Sequence, residues 1–366
     1  MTIEPRDAPY PELKKSHTMA RTGRPFTDVR PPPAAPVWAA IEGLARYHVL
    51  LAAIELGVFD AVRDAGSAQA GELAERLGVS PPHLASLLDG VVALGLLDKV
   101  SERYTANDTT RRYLVSDGPA CMAQLVPVAP GPQYNWTRLA DTVRRGRPAT
   151  PIEDDPAAFY VPLVEGTFTT MWRTATRLDR IVRYATAGSS PRVLDLGAGG
   201  APWAIAVLTA CPGGHAIVND LDRVLDVARR TTAEHGVADR CEFRPGDYFE
   251  IDIEPGAYDL VVLGHVCRAE GIDGARRLIH RASEALRPGG RVIVADYFQD
   301  PERKLNPHAV LMGVTMMANT VNGFTFTTEQ FAIWLTEAGF VEQRLIEPIA
   351  FQQCMIATKA TRGDTP

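Results

Sequence analysis

The segment Val193–Trp203, VLDLGAGGAPW, constrains this chain more than any other stretch. A short apolar run interrupted by Asp195 reads as a buried strand. Gly197, Gly199 and Gly200 then turn the chain, and a helix begins near Pro202. Glycines are needed in such a turn because they allow positive φ values and close backbone approach. Similar short β-type runs occur at Arg192–Leu196, Ala216–Asn219, Cys241–Arg244, Leu260–Leu263 and Arg291–Ala295, with helical segments between them. This alternation predicts an α/β fold: a doubly wound, Rossmann-like parallel sheet with helices on both faces. Sheets of this kind bind ligands at the carboxyl ends of their strands.

The N-terminal half has a different pattern. Residues 1–33 are rich in proline and charge, end in Pro31-Pro32-Pro33, and read as a flexible arm. From Val37 to Leu114 apolar residues recur at three- and four-residue steps, as in buried amphipathic helices. Residues 71–107 read as a helix, a turn at Gly78, a second helix capped by Ser80 ahead of Pro81, and a two-stranded wing. The expectation for residues 34–120 is therefore a mainly helical winged-helix domain. Its second helix offers His83, Leu84, Leu87, Leu88, Asp89 and Val91, whereas base reading needs Arg, Lys, Asn or Gln. That face is built to pack on protein. Residues 121–187 read as linking helices broken by prolines. They carry Trp136, Phe168, Met171 and Trp172 as either interdomain core or the wall of an apolar acceptor pocket. Residues 188–366 form the sheet domain.

Composition narrows the function further. The 366 residues are 46% hydrophobic and carry a net charge of -6, which disfavours a phosphate-binding surface. Five cysteines without CxxC spacing read as reduced thiols rather than a disulfide or zinc framework. No run of about 20 consecutive apolar residues and no apolar signal core at the start stand out, so the expected location is the cytoplasm, with no membrane or nucleic-acid partner.

Three strand-end elements point to a nucleoside ligand. The turn is GxGG rather than GxGxxG, and Asp195 precedes it directly. That favours a nucleoside with an amino-acid tail over a dinucleotide pyrophosphate. Asp220, about twenty residues on, ends the next strand, where a carboxylate accepts ribose hydroxyls, with Leu221 beside it. Asp222 reads as a helix cap. Asp247, in the run FRPGDYFE, follows the third strand and can accept an adenine amino group, with Tyr248 or Phe249 covering the ring.

With these residues in view, the chain resembles the class I S-adenosylmethionine-dependent O-methyltransferases that carry an N-terminal winged-helix dimerisation domain. VLDLGAGG, Asp220, GDYF and EALRPGGRVIVADYF carry most of the likeness, which runs from about residue 37 to 360. The resemblance implies S-adenosyl-L-methionine as cofactor, a small-molecule acceptor and a homodimer formed through the N-terminal domain. By position it implies cofactor contacts from Asp195, Gly197, Gly199, Asp220, Asp247 and Tyr248. Ala201 stands where a third glycine is common. Met316 and Asn319, in HAVLMGVTMMANTV, fall in the stretch that lines the acceptor pocket in this family, although core packing and a helix-end cap explain them equally well.

The segment after the fourth strand departs from the family. Many members place a general-base histidine where this chain has Arg268, and an arginine stays protonated at neutral pH. Either His265 is the base, oriented by Glu270, or it is a strand-end residue beside the cofactor's carboxylate. Arg268 either binds an acidic acceptor or is a surface residue. No third ligand joins His265 and His308, so no metal is expected. Methyl transfer from a sulfonium can proceed on positioning alone. Oxygen is the expected methylated atom. Carbon or nitrogen acceptors and a non-methylating reaction on the same fold stay open, as does a ligand-sensing winged-helix regulator.

Overall fold

A computed structural model describes residues 34–182 and 190–361, and the arm expected over residues 1–33 lies outside them. Two compact units divide at Ala45. The first contributes the opening half of helix Ala35–Glu55, whose Trp38, Ile41 and Leu44 are exposed. By length and composition this 21-residue helix is the one element among the described residues capable of crossing a membrane, although Glu42 and Arg46 interrupt it.

The winged-helix expectation holds within the second unit. Helices Ala70–Leu77 and Pro81–Ala93 are joined through Gly78, at a φ of 67°. A small antiparallel sheet follows, from β1 (Ala68–Gln69), β2 (Leu97–Val100) and β3 (Arg103–Ala106), in the order β1-β3-β2. Leu84, Leu88 and Val91 of the second helix are buried in this unit's core. Ser80 occupies the cap position, but its hydroxyl bonds His83 Nδ1 at 2.8 Å instead of a backbone N–H.

The large sheet has seven strands: β4 (Arg192–Leu196), β5 (His215–Asp220), β6 (Cys241–Pro245), β7 (Tyr258–Gly264), β8 (Leu286–Asp296), β9 (Phe340–Ile349) and β10 (Gln352–Lys359), in the order β6-β5-β4-β7-β8-β10-β9. β4 to β8 are parallel, and β10 runs antiparallel between β8 and β9. The two-residue period of the strands sorts their side chains into two cores. Val193, Val218, Val262 and Ile293 face helices Pro202–Ala210 and Asp222–Glu234. Leu194, Ile217, Val261, Leu263 and Val294 face helices Gly271–Ala285 and Thr328–Glu337. The strand order reverses between β4 and β5 on one side and β7 on the other, so a crevice at their carboxyl ends is the expected ligand position.

Helix Pro156–Val182 runs for 27 residues and contains Pro162. The sequence reading had a break there. The helix continues past the proline, which gives up only the bond to the Ala158 carbonyl. Asp222 also differs from expectation: it is the first helical residue of Asp222–Glu234, with Leu221 at the cap, and its charge favours the positive end of that helix. None of the five cysteines is in a disulfide.

Leu278 lies wholly buried between helix Gly271–Ala285 and the sheet, so Leu278→Ala should lower stability by about 2–5 kcal/mol in urea unfolding. Leu305→Ala, at an 85% exposed site, should stay within about 0.5 kcal/mol. Equal losses at the two sites would contradict the layer arrangement.

Candidate active site

Parallel pairing brings the ends of β4, β5 and β6 level, with Asp195 opposite Val218 and Asp220 opposite Pro245. After β4 the chain turns through three alternate left-handed residues: Gly197 (φ 62°), Gly199 (φ 59°) and Ala201 (φ 55°). Ala201 holds this conformation despite its Cβ, at a strain of about 1–2 kcal/mol, and it caps helix Pro202–Ala210. The turn is tied to the next strand by Gly199 N–H, which donates to Asp220 Oδ2 at 2.7 Å; Leu221 N–H donates to Oδ1, also at 2.7 Å. Asn219 extends the tie by donating to the carbonyls of Arg244 and Gly246, each at 2.9 Å, which fixes the loop that carries Asp247.

Glycine is required here by crowding as well as by φ. A Cβ on Gly197 would collide with Val266 and stand 3.5 Å from the Tyr248 ring. A Cβ on Gly199 would lie 3.0 Å from Val164, and one on Gly200 would lie 3.0 Å from Phe168. The turn is thus enclosed by the loop after β7, by Tyr248 and by helix Pro156–Val182.

The carboxyl groups in this enclosure are unusually deprived of water. Asp195 is 0% exposed; its Oδ2 accepts from Ala204 N–H at 3.2 Å, and its Oδ1 has no partner. Burial pushes its pKa up to about 7, with Asp220 adding to the effect. Burial raises Asp220 to about 6, although its two backbone donors oppose the shift. Asp247 is different: it is exposed, and its Oδ1 closes a turn by accepting from Phe249 N–H at 2.8 Å. The rings of Tyr248 and Phe249 meet edge to face at 5.0 Å.

Beyond β7 the catalytic expectations need correction. His265 adopts a φ of 64°, and its ring stacks on Tyr297 at 5.2 Å. Gln352 lies close enough to favour the protonated ring, yet neither ring nitrogen closes a well-formed hydrogen bond, and both are sealed from solvent. Burial and the Arg268 charge hold its pKa well below the usual imidazole value. The expected His265–Glu270 couple is absent: Glu270 accepts a short hydrogen bond from the Tyr248 hydroxyl, and the nearest carboxylate to His265 is Asp296, at 4.0 Å. Arg268 is no surface residue. Its Nη1 donates to Asp296 Oδ1 at 3.2 Å and to the His265 carbonyl at 2.8 Å, its backbone N–H donates to Asp296 Oδ2 at 3.1 Å, and its guanidinium lies over the Tyr297 ring. Burial alone would weaken its basicity, but Asp296 together with Tyr297 and Tyr160 more than offsets this, so the charge stays fixed. The Tyr297 ring stands between His265 and His308, 5.1 Å from the latter. Among the described residues no group of three or more His, Cys, Asp or Glu side chains is gathered for a metal.

The residues expected to face an acceptor are mostly structural. Phe168 and Trp172 flank His235 at 5.5 and 5.4 Å and pack on the core beneath helix Asp222–Glu234. Met171 and Met316 are buried. Trp136 Nε1 donates to the Pro130 carbonyl at 2.6 Å. Asn319 is a buried clasp, donating to the Pro130 and Thr315 carbonyls and accepting from Asn135 Nδ2 at 3.1 Å. The sequence reading missed Asp296 and Val164. Val164 stands four residues before Phe168, and Tyr160, one of the aromatics that precede the sheet domain in sequence and read as either core or pocket wall, stands eight before it on the same helix stripe.

A carboxyl group whose pKa is raised by folding stabilises the fold fully below its unfolded value, 3.8, and loses that contribution as pH rises through its folded value. For Asp195 the loss spans pH 4 to 7, at no more than about 1.4 kcal/mol per pH unit. Asp195→Asn, which keeps an oxygen for Ala204 N–H, should therefore be less stable than the parent at pH 4 and gain on it steadily toward pH 8 in urea unfolding. Parallel stability curves would show that Asp195 is not desolvated.

The O-methyltransferase domain pattern matches residues 168–341, and the O-methyltransferase dimerisation domain pattern matches residues 38–116. The chain is 30% identical over 319 residues to 3-hydroxy-5-methyl-1-naphthoate 3-O-methyltransferase of Streptomyces sahachiroi, covering 83% of this chain and 88% of that one. It is also 30% identical over 327 residues to the N,N-dimethyltransferase OxyT of Streptomyces rimosus, covering 84% and 92%. The crystal structure of human N-acetylserotonin methyltransferase in complex with S-adenosylmethionine shares the fold, with a TM-score of 0.76, 23% identity, and coverage of 92% of this chain and 100% of that one. The chain belongs to the S-adenosylmethionine-dependent O-methyltransferase family.

Proposed function

We propose that this chain transfers the methyl group of S-adenosylmethionine to a hydroxyl of a small aromatic or polyketide-like molecule at the turn Gly197–Gly200. The observation that carries this reading is the pair of desolvated carboxyls at the turn. Asp195 Oδ1 has no partner, and Asp220 is already aligned by Gly199 and Leu221. Such a pair suits a ligand that brings a cationic amino group and hydroxyl donors. Asp195, Gly197 and Gly199 would hold the amino-acid tail, Asp220 and Leu221 the ribose, and Asp247, Tyr248 and Phe249 the adenine. When bound, the cofactor supplies an electrophilic methyl group on a positively charged sulfur.

The residues of the chain bind, orient and exclude water. His265, the expected base, is sealed and weakly basic, its expected partner Glu270 is engaged by Tyr248, and Arg268 is permanently charged. Positioning supplies the rate, with the acceptor oxygen held in line with the methyl group. The relative from Streptomyces sahachiroi is named for methylating a hydroxynaphthoate, which supports an aromatic hydroxyl acceptor. The likeness to OxyT supports a second reading, in which the acceptor is an amine. The dimerisation-domain match and the exposed apolar residues of helix Ala35–Glu55 support a homodimer built on residues 34–120. Cysteines outside disulfides fit the reducing cytoplasm.

Calorimetric titration of the parent with S-adenosylhomocysteine should give binding that Asp220→Ala weakens by about 10- to 100-fold, the loss of a charge-assisted hydrogen bond. Asp247→Ala, at an exposed turn, should weaken it less. Unchanged affinity in Asp220→Ala would remove this site. Incubation with methyl-labelled S-adenosylmethionine and 3-hydroxy-1-naphthoate should place label on oxygen; product without label would point to a non-methylating reaction.

A further inference from the structure

Helix Pro156–Val182 lays one stripe along the glycine turn. Val164 would touch a Cβ on Gly199, and Phe168 would touch one on Gly200. Tyr160 stands one helical turn earlier on the same stripe, so it continues past the turn toward the loop after β7. There it lies within electrostatic range of Arg268, Glu153, Glu270 and Asp220. Each neighbouring carboxylate already has a donor. Glu153 accepts from Val321 N–H at 2.9 Å, Glu270 accepts from the Tyr248 hydroxyl, and Asp220 accepts from Gly199 and Leu221. Among the described residues the Tyr160 hydroxyl has no hydrogen-bond partner, and it is not one of the sealed polar atoms. An open donor thus stands on the stripe that covers the glycine turn, in the field of the fixed guanidinium.

We propose that Tyr160 is a catalytic residue whose hydroxyl donates a hydrogen bond to the acceptor oxygen, which is bound as an oxyanion in the field of Arg268. The acceptor class follows: a phenolic or enolic hydroxyl acidic enough to ionise in the site, its proton leaving to solvent before transfer. The bonds then balance without a base. The oxyanion's electron pair forms the C–O bond, the C–S bond breaks with its pair staying on sulfur, and a neutral ether and a thioether result. Burial raises the Tyr160 pKa to about 12, although Arg268 opposes the shift, so the residue remains a donor across the working range. Arg268 acts through charge while pinned by Asp296, and Asp296 is its positioning residue.

This inference rests on the cofactor reading above, and the test separates the two. The ultraviolet absorbance of 3-hydroxy-1-naphthoate is titrated from pH 6 to 11 on the full-length protein saturated with S-adenosylhomocysteine. In the parent, the phenol pKa should fall by at least about one unit on binding, a tenfold gain in ionised fraction. Tyr160→Phe should lose most of that shift while binding S-adenosylhomocysteine as the parent does. Arg268→Lys, which keeps the charge, should retain part of it. The double variant Arg268→Met/Asp296→Asn, which leaves no buried carboxylate unpaired, should abolish it. His265→Ala should change nothing. A bound phenol with its free pKa, a phenol that fails to bind although S-adenosylhomocysteine does, or a full shift in Tyr160→Phe would each overturn the role of Tyr160. Failure of S-adenosylhomocysteine to bind the parent would instead overturn the cofactor reading.

Discussion

The hydrogen bond from Gly199 N–H to Asp220 Oδ2 is the contact on which the rest of the site depends. It joins the turn after β4, which flanks the reversal of the sheet, to the end of the neighbouring strand β5. To reach it, the backbone must place Gly197, Gly199 and Ala201 in the left-handed region at alternate positions. The turn then leaves no room for side chains, and Val266, Tyr248, Val164 and Phe168 close around it. Close packing on a bare backbone is also what strips water from Asp195 and Asp220. Their raised pKa values follow from this geometry, and a cationic ligand would relieve the same desolvation.

A second consequence appears at the end of β7. Asp296 accepts from the backbone N–H of residue 268 on one oxygen and from the Arg268 side chain on the other, so the arginine occupies the carboxylate that faces this position. Breaking a buried pair of this kind leaves an uncompensated charge, so the arginine is held firmly in place. The site thereby exchanges a proton acceptor for a fixed positive charge. The chemistry best served by that exchange is one in which the nucleophile arrives already ionised. Because the leaving group is activated by its own charge, stabilising the attacking oxygen is the part left to the protein.

The parallel strands β4, β5 and β7 were legible in sequence because continuous apolar runs mark burial on both faces, and the short edge strand β6 was read between its turns. β4 was read with its observed bounds, and β5, β6 and β7 to within two residues at either end. β9 and β10 were missed because Glu342, Gln343, Arg344 and Glu347 interrupt the apolar period on an outer strand, and a single hairpin joins the pair. The start of β8 was hidden by Arg287-Pro288-Gly289-Gly290, which reads as a turn. Asp195, Asp220 and the glycines could be found because they are adjacent to strand ends. The pairing of Arg268 with Asp296 spans 28 residues and that of Tyr248 with Glu270 spans 22, so no local pattern announces either. Phe168 and Trp172 illustrate the limit of reading aromatics as pocket walls, since spacing gives the shared face but not what the face meets.

That limit also applies to Tyr160, which sequence places among the aromatics ahead of the sheet domain without saying what it meets. The 160, 164, 168 spacing predicts a stripe, and the glycine contacts identify the surface it covers. One helix then fixes two things at once: the depth of the glycine turn, through Val164 and Phe168, and the position of Tyr160 on the same stripe. Pro162 lies between these groups and removes a single backbone bond from the helix without ending it. A shift of the stripe by one residue would rotate Tyr160 by about 100° away from the turn, as a 3.6-residue period dictates. The packing against Gly199 and Gly200 therefore sets the position of the open donor, and a structural contact becomes a constraint on where the acceptor oxygen can be held.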